Sequence, residues 1–271
     1  MRICLMPLRF EPRNPAATMC HLDVLLEATL ERKPDLVCLP EHFATGYLWK
    51  LEDLRRFGET IPGPTTDRIS GLAREHQVFF AFGLVETNGP EFFNSAVLIS
   101  RTGGIVLKHR KIQEPAPYAM GVAVPSADTE IGRVSMLICG DLLNEEAAGM
   151  LDASSDLLIA ISAGTYKGRY EEFVKQYHNE GRVDPMSYRY KPYLVHGHTF
   201  SVLCHNEERF SQVSHHEAIA RLGVRTGYVS VLEPELPSEN RFFGVGAVID
   251  AKGCVVAQSA CTADEPLVWD L

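Results

Sequence analysis

Along the chain, short apolar runs alternate with longer segments whose apolar residues recur every three or four positions. RICLMPL (2–8), DLVCLP (35–40) and VFFAFGLVE (78–86) have the length and the branched or aromatic content of strands. Residues 15–32 and 64–76 between them have helical spacing. FNSAVLIS (93–100) and GIVLKHRK (104–111) follow, joined by Arg-Thr-Gly-Gly, whose glycines suit the tight turn of an antiparallel hairpin. GRVSMLIC (132–139), a helical NEEAAGMLDA and DLLIAISA (156–163) continue the alternation beyond a proline-rich stretch. A helical HHEAIARLGVRTG then leads into YVSVLEP (228–234), and FGVGAVID and CVVAQSA form a second hairpin around Ala-Lys-Gly. Several strands are apolar on both faces, so each sheet must be covered on both sides, by helices or by a second sheet. The pattern predicts an α/β protein.

Composition narrows this. The 271 residues, 45% of them hydrophobic, suffice for one large domain spanning 1–271. The stretch at about 164–214, rich in Tyr, His, Arg and Glu, reads as an atypical insertion on that core. A formal net charge of -9 opposes binding to nucleic acid or to an anionic membrane surface. No run approaches the ~18 uninterrupted apolar residues of a membrane-spanning helix, and the first residues lack a secretory core. Seven cysteines without a C-x-x-C pair, mostly inside apolar stretches, predict buried reduced thiols and a cytoplasmic setting.

Three polar residues stand where predicted buried strands end: Glu41 after DLVCLP, Lys111 after GIVLKHR and Cys139 after VSMLI. Strand ends are where a rigid scaffold presents reactive groups. A cysteine there is inert unless a base or a cation activates it. Glu41 could take the thiol proton, and Lys111 could stabilise an oxyanion. Each residue alone equally suits an ordinary core thiol or a solvated loop charge.

The surrounding segments resemble the three signature regions of the nitrilase superfamily of carbon-nitrogen hydrolases. KPDLVCLPEHFATGY (33–47) resembles its glutamate motif, FNSAVLISRTGGIVLKHRKIQ (93–113) its lysine motif and GRVSMLICGDLLNEE (132–146) its cysteine motif, in the family's order. The resemblance implies a four-layer αββα sandwich, often paired into a homodimer or a higher homo-oligomer. It implies Glu41 as general base, Lys111 as catalytic lysine and Cys139 as nucleophile. The expected reaction is cleavage of a small-molecule amide or N-carbamoyl bond through a thioester, with neither metal nor organic cofactor. Nitrile hydrolysis, acyl transfer and a catalytically silent binding relative are the alternatives.

The match has departures. Family members often carry a second glutamate soon after the lysine; Glu114 is the one carboxylate available between Lys111 and Gly121. An aromatic residue often follows the cysteine, where this chain has Gly140, and Asn144-Glu145-Glu146 replaces a Phe-Pro-Glu. Tyr47, Gly140 and Asp141, with Tyr166 and His198 in the insertion, are candidate substrate contacts, and the insertion itself is expected to shape substrate choice, with Tyr170 and Arg182 as further candidates. His196, His198, His205, His215 and His216 invite a zinc reading, but no H-e-x-x-H spacing or cysteine pairing supports a metal site.

Overall fold

A computed structural model describes residues 1–11, 13–163, 165–166, 223, 226–230, 241–242, 245–251, 255–259 and 266–271. The first helix, α1 (Pro15–Leu30), starts at a proline and is capped by Asn14, whose Oδ1 accepts from the Ala17 N–H at 3.2 Å. Thr18, Leu22, Leu26 and Thr29, one turn apart, form its buried stripe. The next helix, α2 (Leu51–Phe57), was not expected from the apolar pattern; α3 (Pro64–His76) has the predicted bounds.

Strands β1 (Arg2–Leu5), β2 (Leu36–Cys38), β3 (Phe79–Asn88), β4 (Glu91–Ile99) and β5 (Ile105–Arg110) form one sheet with β14 (Leu267–Asp270), in the order β14-β1-β2-β3-β4-β5. The predicted Arg-Thr-Gly-Gly hairpin pairs β4 with β5 antiparallel. A second six-stranded sheet runs β13-β12-β10-β8-β7-β6. Its strands are β6 (Ser126–Thr129), β7 (Gly132–Ile138), β8 (Leu157–Ser162), β10 (Thr226–Ser230), β12 (Val245–Ile249) and β13 (Val255–Gln258). The short strands β9 (Thr165–Tyr166) and β11 (Arg241–Phe242) pair separately. Two sequence expectations change here. The helical reading of HHEAIARLGVRTG ends too late, because Thr226 and Gly227 already belong to β10, in register with β8 and β12. NEEAAGMLDA yields only the short α4 (Glu145–Met150).

Alternation along each strand sorts side chains between layers. In β3, Phe80, Phe82 and Leu84 face α1 and α3, together with Leu22, Leu26, Ile69 and Leu72. Phe79 and Ala81 face the other way, into a core shared with Met136, Ile138, Ile159 and Ile161 of the second sheet. At about 1.5–3 kcal/mol for each fully buried large apolar side chain, this contact between sheets is a dominant stabilising element. On the far side of the second sheet, Leu137, Leu158, Ala160, Ala247 and Ile249 are buried too. Both sheets are therefore covered on both faces, as the apolar strands required, in keeping with the αββα arrangement that the resemblance implied.

Candidate active site

The parallel pair β7 and β8 of the second sheet runs into Cys139 and Ala163, and β2 of the first sheet leads to Glu41, whose backbone N–H donates to the Ser162 carbonyl at the end of β8 at 3.3 Å. Glu41 lies in a tight turn in which His42 has φ +49 and Gly46 φ +71. A Cβ on Gly46 would stand 2.1 Å from the Phe10 ring, so only glycine lets Phe10 close over the turn. The Glu41 carboxylate is held from three sides. Oε2 accepts from the Ala163 N–H at 2.6 Å; Oε1 accepts from Asn94 Nδ2 at 2.6 Å and from Lys111 Nζ at 3.3 Å.

Lys111 comes directly after β5, and its backbone N–H donates to the Asn94 carbonyl at 2.9 Å. Its ammonium also donates to Glu114 Oε2, and Asn94 Nδ2 reaches the same oxygen at 3.2 Å. Glu114 is thus brought into the site. Glu41, Lys111 and Cys139 are each 1% exposed, so charges here interact with little solvent screening.

Cys139 follows β7 with φ +51, a left-handed backbone that residues bearing a side chain seldom adopt and that clusters at functional sites. It opens a short 3₁₀ turn, Cys139–Leu143. Asp141 anchors that turn: one carboxylate oxygen accepts from the Ile112 N–H at 3.0 Å, the other from the Ile138 N–H at 3.2 Å, and the second also meets His109 Nε2 at 2.8 Å. The cysteine turn is thereby tied to the residue next to Lys111. Both oxygens of Asp141, expected from the sequence as a candidate substrate contact, thus have protein partners that hold the turn.

The electrostatics follow from burial. Burial pushes the Cys139 thiol well above its ordinary pKa; the Glu41 charge adds to this, Lys111 opposes it, Glu114 adds again and the Ser162 hydroxyl opposes. Burial also works against the Lys111 ammonium, but the charges of Glu41, Cys139 and Asp141 outweigh it and raise its pKa. Burial, then the Glu41 and Asp141 charges, raise Glu114 well above the carboxylate range. The Lys111 contact pulls Glu114 the other way, yet one buried ammonium cannot neutralise two carboxylates at once. Glu114 is thereby pushed towards its protonated form.

Among the other expected contacts, Tyr47 lies at the site, its ring 6.0 Å from Lys111 Nζ and 4.4 Å from the Trp49 ring. Gly140 is buried in the 3₁₀ turn immediately after Cys139. Tyr166 is described only as backbone, in β9, while His198, Tyr170 and Arg182 fall outside the described residues. Two site residues were missed from the sequence. Asn94 bridges both carboxylates, and its signal was an amide inside an otherwise apolar strand. His42 is fully buried beside Glu41, and its signal was an imidazole directly following the candidate base.

Comparison with known proteins agrees with this geometry. The sequence profile of the family described as Carbon-nitrogen hydrolase matches residues 6–176, which hold Glu41, Lys111, Glu114 and Cys139. The formamidase of Bacillus cereus (strain Q1) is 31% identical over 136 residues, 47% of this chain and 41% of the relative. The formamidase of Bacillus anthracis is 30% identical over a stretch of the same length. The match thus spans about two fifths of the length of these curated relatives. In fold, the chain resembles an amidase from Nesterenkonia sp., with TM-score 0.71 and 19% identity over 100% of this chain and 90% of that one. It also resembles a carbon-nitrogen hydrolase from Helicobacter pylori G27, with TM-score 0.74 and 19% identity over 99% of this chain and 88% of that one. With the profile covering well over half of its length, the chain belongs to the carbon-nitrogen hydrolase family.

Proposed function

We propose that the protein hydrolyses the C–N bond of a small amide through a thioester on Cys139. The observation that carries this reading is the buried cluster in which Lys111 Nζ meets both Glu41 and Glu114, with Cys139 close enough for its thiol to respond to them. Burial disfavours a preformed thiolate, so the proton leaves the sulfur as the new bond forms. Glu41 takes the thiol proton as sulfur attacks the carbonyl carbon. The new C–S bond pushes the carbonyl electrons onto oxygen, beside the Lys111 ammonium and the backbone following Cys139. The oxyanion then collapses, the C–N bond breaks, and nitrogen leaves with the proton from Glu41. Water, deprotonated by the same carboxylate, attacks the thioester, releases the acid and restores the thiol.

In this scheme Glu114 is held by Lys111 and Asn94, and its buried Oε1 has no partner among the described residues. It orients the reacting groups. The formamidases and amidases among the relatives support short amides as substrates. The same reading takes 1–271 as one domain, supported by the pairing of β14 with β1, assigns substrate selection to 164–214, and expects a homodimer.

The test is ammonia release from formamide, acetamide and an N-carbamoyl amino acid, with peptide mass analysis of enzyme quenched during turnover. Acyl mass on the Cys139 peptide and a loss of about 10³-fold or more in Cys139→Ser are expected. Undiminished turnover in Cys139→Ser would overturn the reading.

A further inference from the structure

Resting on that reading, we infer that His42 is a specificity-determining residue, hydrogen-bonding an uncharged polar group that the substrate carries next to its reacting carbonyl, of which the hydroxyl of a 2-hydroxy amide is the simplest. The catalytic steps leave His42 unused, yet its placement is costly in two ways. It is fully buried, and among the described residues no hydrogen bond of good geometry reaches either ring nitrogen, although the Asn94 side chain lies close enough to act on the ring. Its backbone is also left-handed, at φ +49. Buried polar atoms are nearly always satisfied, and leaving one unmet costs about 1–3 kcal/mol. Such a cost persists in a folded protein where a ligand completes the site.

The surroundings indicate the ligand. The Tyr47 ring lies 4.8 Å from the imidazole and its buried hydroxyl is likewise without a partner. Asn94 stands beside His42, but its amide nitrogen is engaged by Glu41 and Glu114, and its Oδ1 is buried and unmet. Tyr118, 5.9 Å away edge-on, is satisfied by the Leu48 carbonyl and only walls the ring. His42, Tyr47 and Asn94 therefore share unused hydrogen-bonding capacity on the Lys111 side of Glu41.

Burial pushes the imidazole down to about 4, against the raising effect of Glu41, so near neutral pH the ring is uncharged. A neutral imidazole offers one donor and one acceptor and no charge. It suits a hydroxyl, which can give and take a hydrogen bond. It cannot compensate a carboxylate, which Glu41 would repel, and an aliphatic group would leave the capacity unmet.

The experiment compares lactamide with propionamide, which differ by that hydroxyl, and adds malonamate as an anionic control. The readouts are kcat/KM in the otherwise unaltered chain, His42→Phe and His42→Asn, and binding to Cys139→Ala by calorimetry with and without each His42 change. Lactamide is expected to be favoured by about tenfold or more, as one net hydrogen bond allows. The ratio should fall towards one in His42→Phe. It should survive in part in His42→Asn, which keeps hydrogen-bonding atoms and tolerates a left-handed backbone. No preference in the unaltered protein, or an unchanged ratio in His42→Phe, overturns the inference. So does an equal fall in kcat for both amides, which is the signature of a residue acting through Asn94. Binding separates the two proposals: if no amide is hydrolysed but Cys139→Ala still prefers lactamide, the hydrolytic reading fails and this one stands.

Discussion

Gly83 tests whether the position of Glu41 depends on a close approach between backbones. It lies in β3, opposite the Glu41 turn, and a Cβ there would fall 2.7 Å from Glu41 Cα, 2.8 Å from Ile161 Cδ1 and 3.1 Å from the His42 nitrogen. Ordinary contact is 3.4 Å or more, so Gly83→Ala forces the turn away by about 0.7 Å. The turn is fastened by the Gly83 N–H donating to the Pro40 carbonyl at 3.1 Å and by the 2.6 Å bonds from Ala163 and Asn94 to the carboxylate. A shift of that size stretches the last two beyond good hydrogen-bonding distance. Overpacking typically costs about 1–3 kcal/mol, and replacing a strand glycine returns at most about 1 kcal/mol, leaving a net loss of roughly 1–2 kcal/mol. Misplacing a catalytic group by such a distance costs up to about 10²-fold in rate. The assay pairs a thermal unfolding scan with steady-state ammonia release. A fall of a few degrees in Tm is expected, with a much larger proportional loss in kcat. Gly71→Ala is the control: it lies inside α3 with nothing within 4 Å of the added methyl, so it should stabilise by about 0.5–1 kcal/mol. A Gly83→Ala protein with unaltered Tm and turnover would refute the argument.

Glu114→Gln should lower kcat by about 10²-fold in the ammonia assay; unaffected turnover would remove Glu114 from the mechanism. The raised pKa of Glu114 has a further consequence, since the fold favours its protonated form. Its contribution to stability is full below the unfolded value of 4.5 and is lost as pH rises towards the folded value, so in denaturant titrations the stability of Glu114→Gln relative to the unaltered protein should increase as pH rises above 4.5; a constant difference would contradict this. Glu86 has the opposite sign. Burial opposes its charge, but hydrogen bonds from Arg110, Lys108 and Ser95 lower it to about 2. Its contribution is present above 4.5 and is lost as pH falls towards about 2. The lowering corresponds to about 3 kcal/mol, reduced by solvent screening to roughly 1–2 because Lys108 and Arg110 are 36% and 27% exposed. Glu86→Gln should lose that much at pH 7 in urea titrations and flatten the acid limb; equal stability of both proteins at pH 7 would contradict it.

Local pattern alone determined much of this protein. Apolar runs without a polar face require sheets covered on both sides, and helical spacing at 15–32 and 64–76 supplies one cover; both are properties of a few consecutive residues. The ends of those runs also exposed Glu41, Lys111 and Cys139, because a charge or thiol at the edge of a buried strand is visible without knowing its neighbours. Tertiary structure decided what depends on distant partners. The four-residue strand β14 carries too little local signal and becomes legible only through its antiparallel partner β1. Glu114 could equally have been a solvated loop charge until the fold set it against Lys111 and out of water. The anchoring bonds of Asp141 are legible only in the fold, because its partners, Ile112, Ile138 and His109, come from the β5 and β7 segments that only the folded sandwich brings together. His42 and Asn94 are single polar residues whose meaning is the absence or presence of a partner. Desolvation and hydrogen-bond geometry depend on the whole surrounding shell, and no stretch of sequence by itself contains that shell.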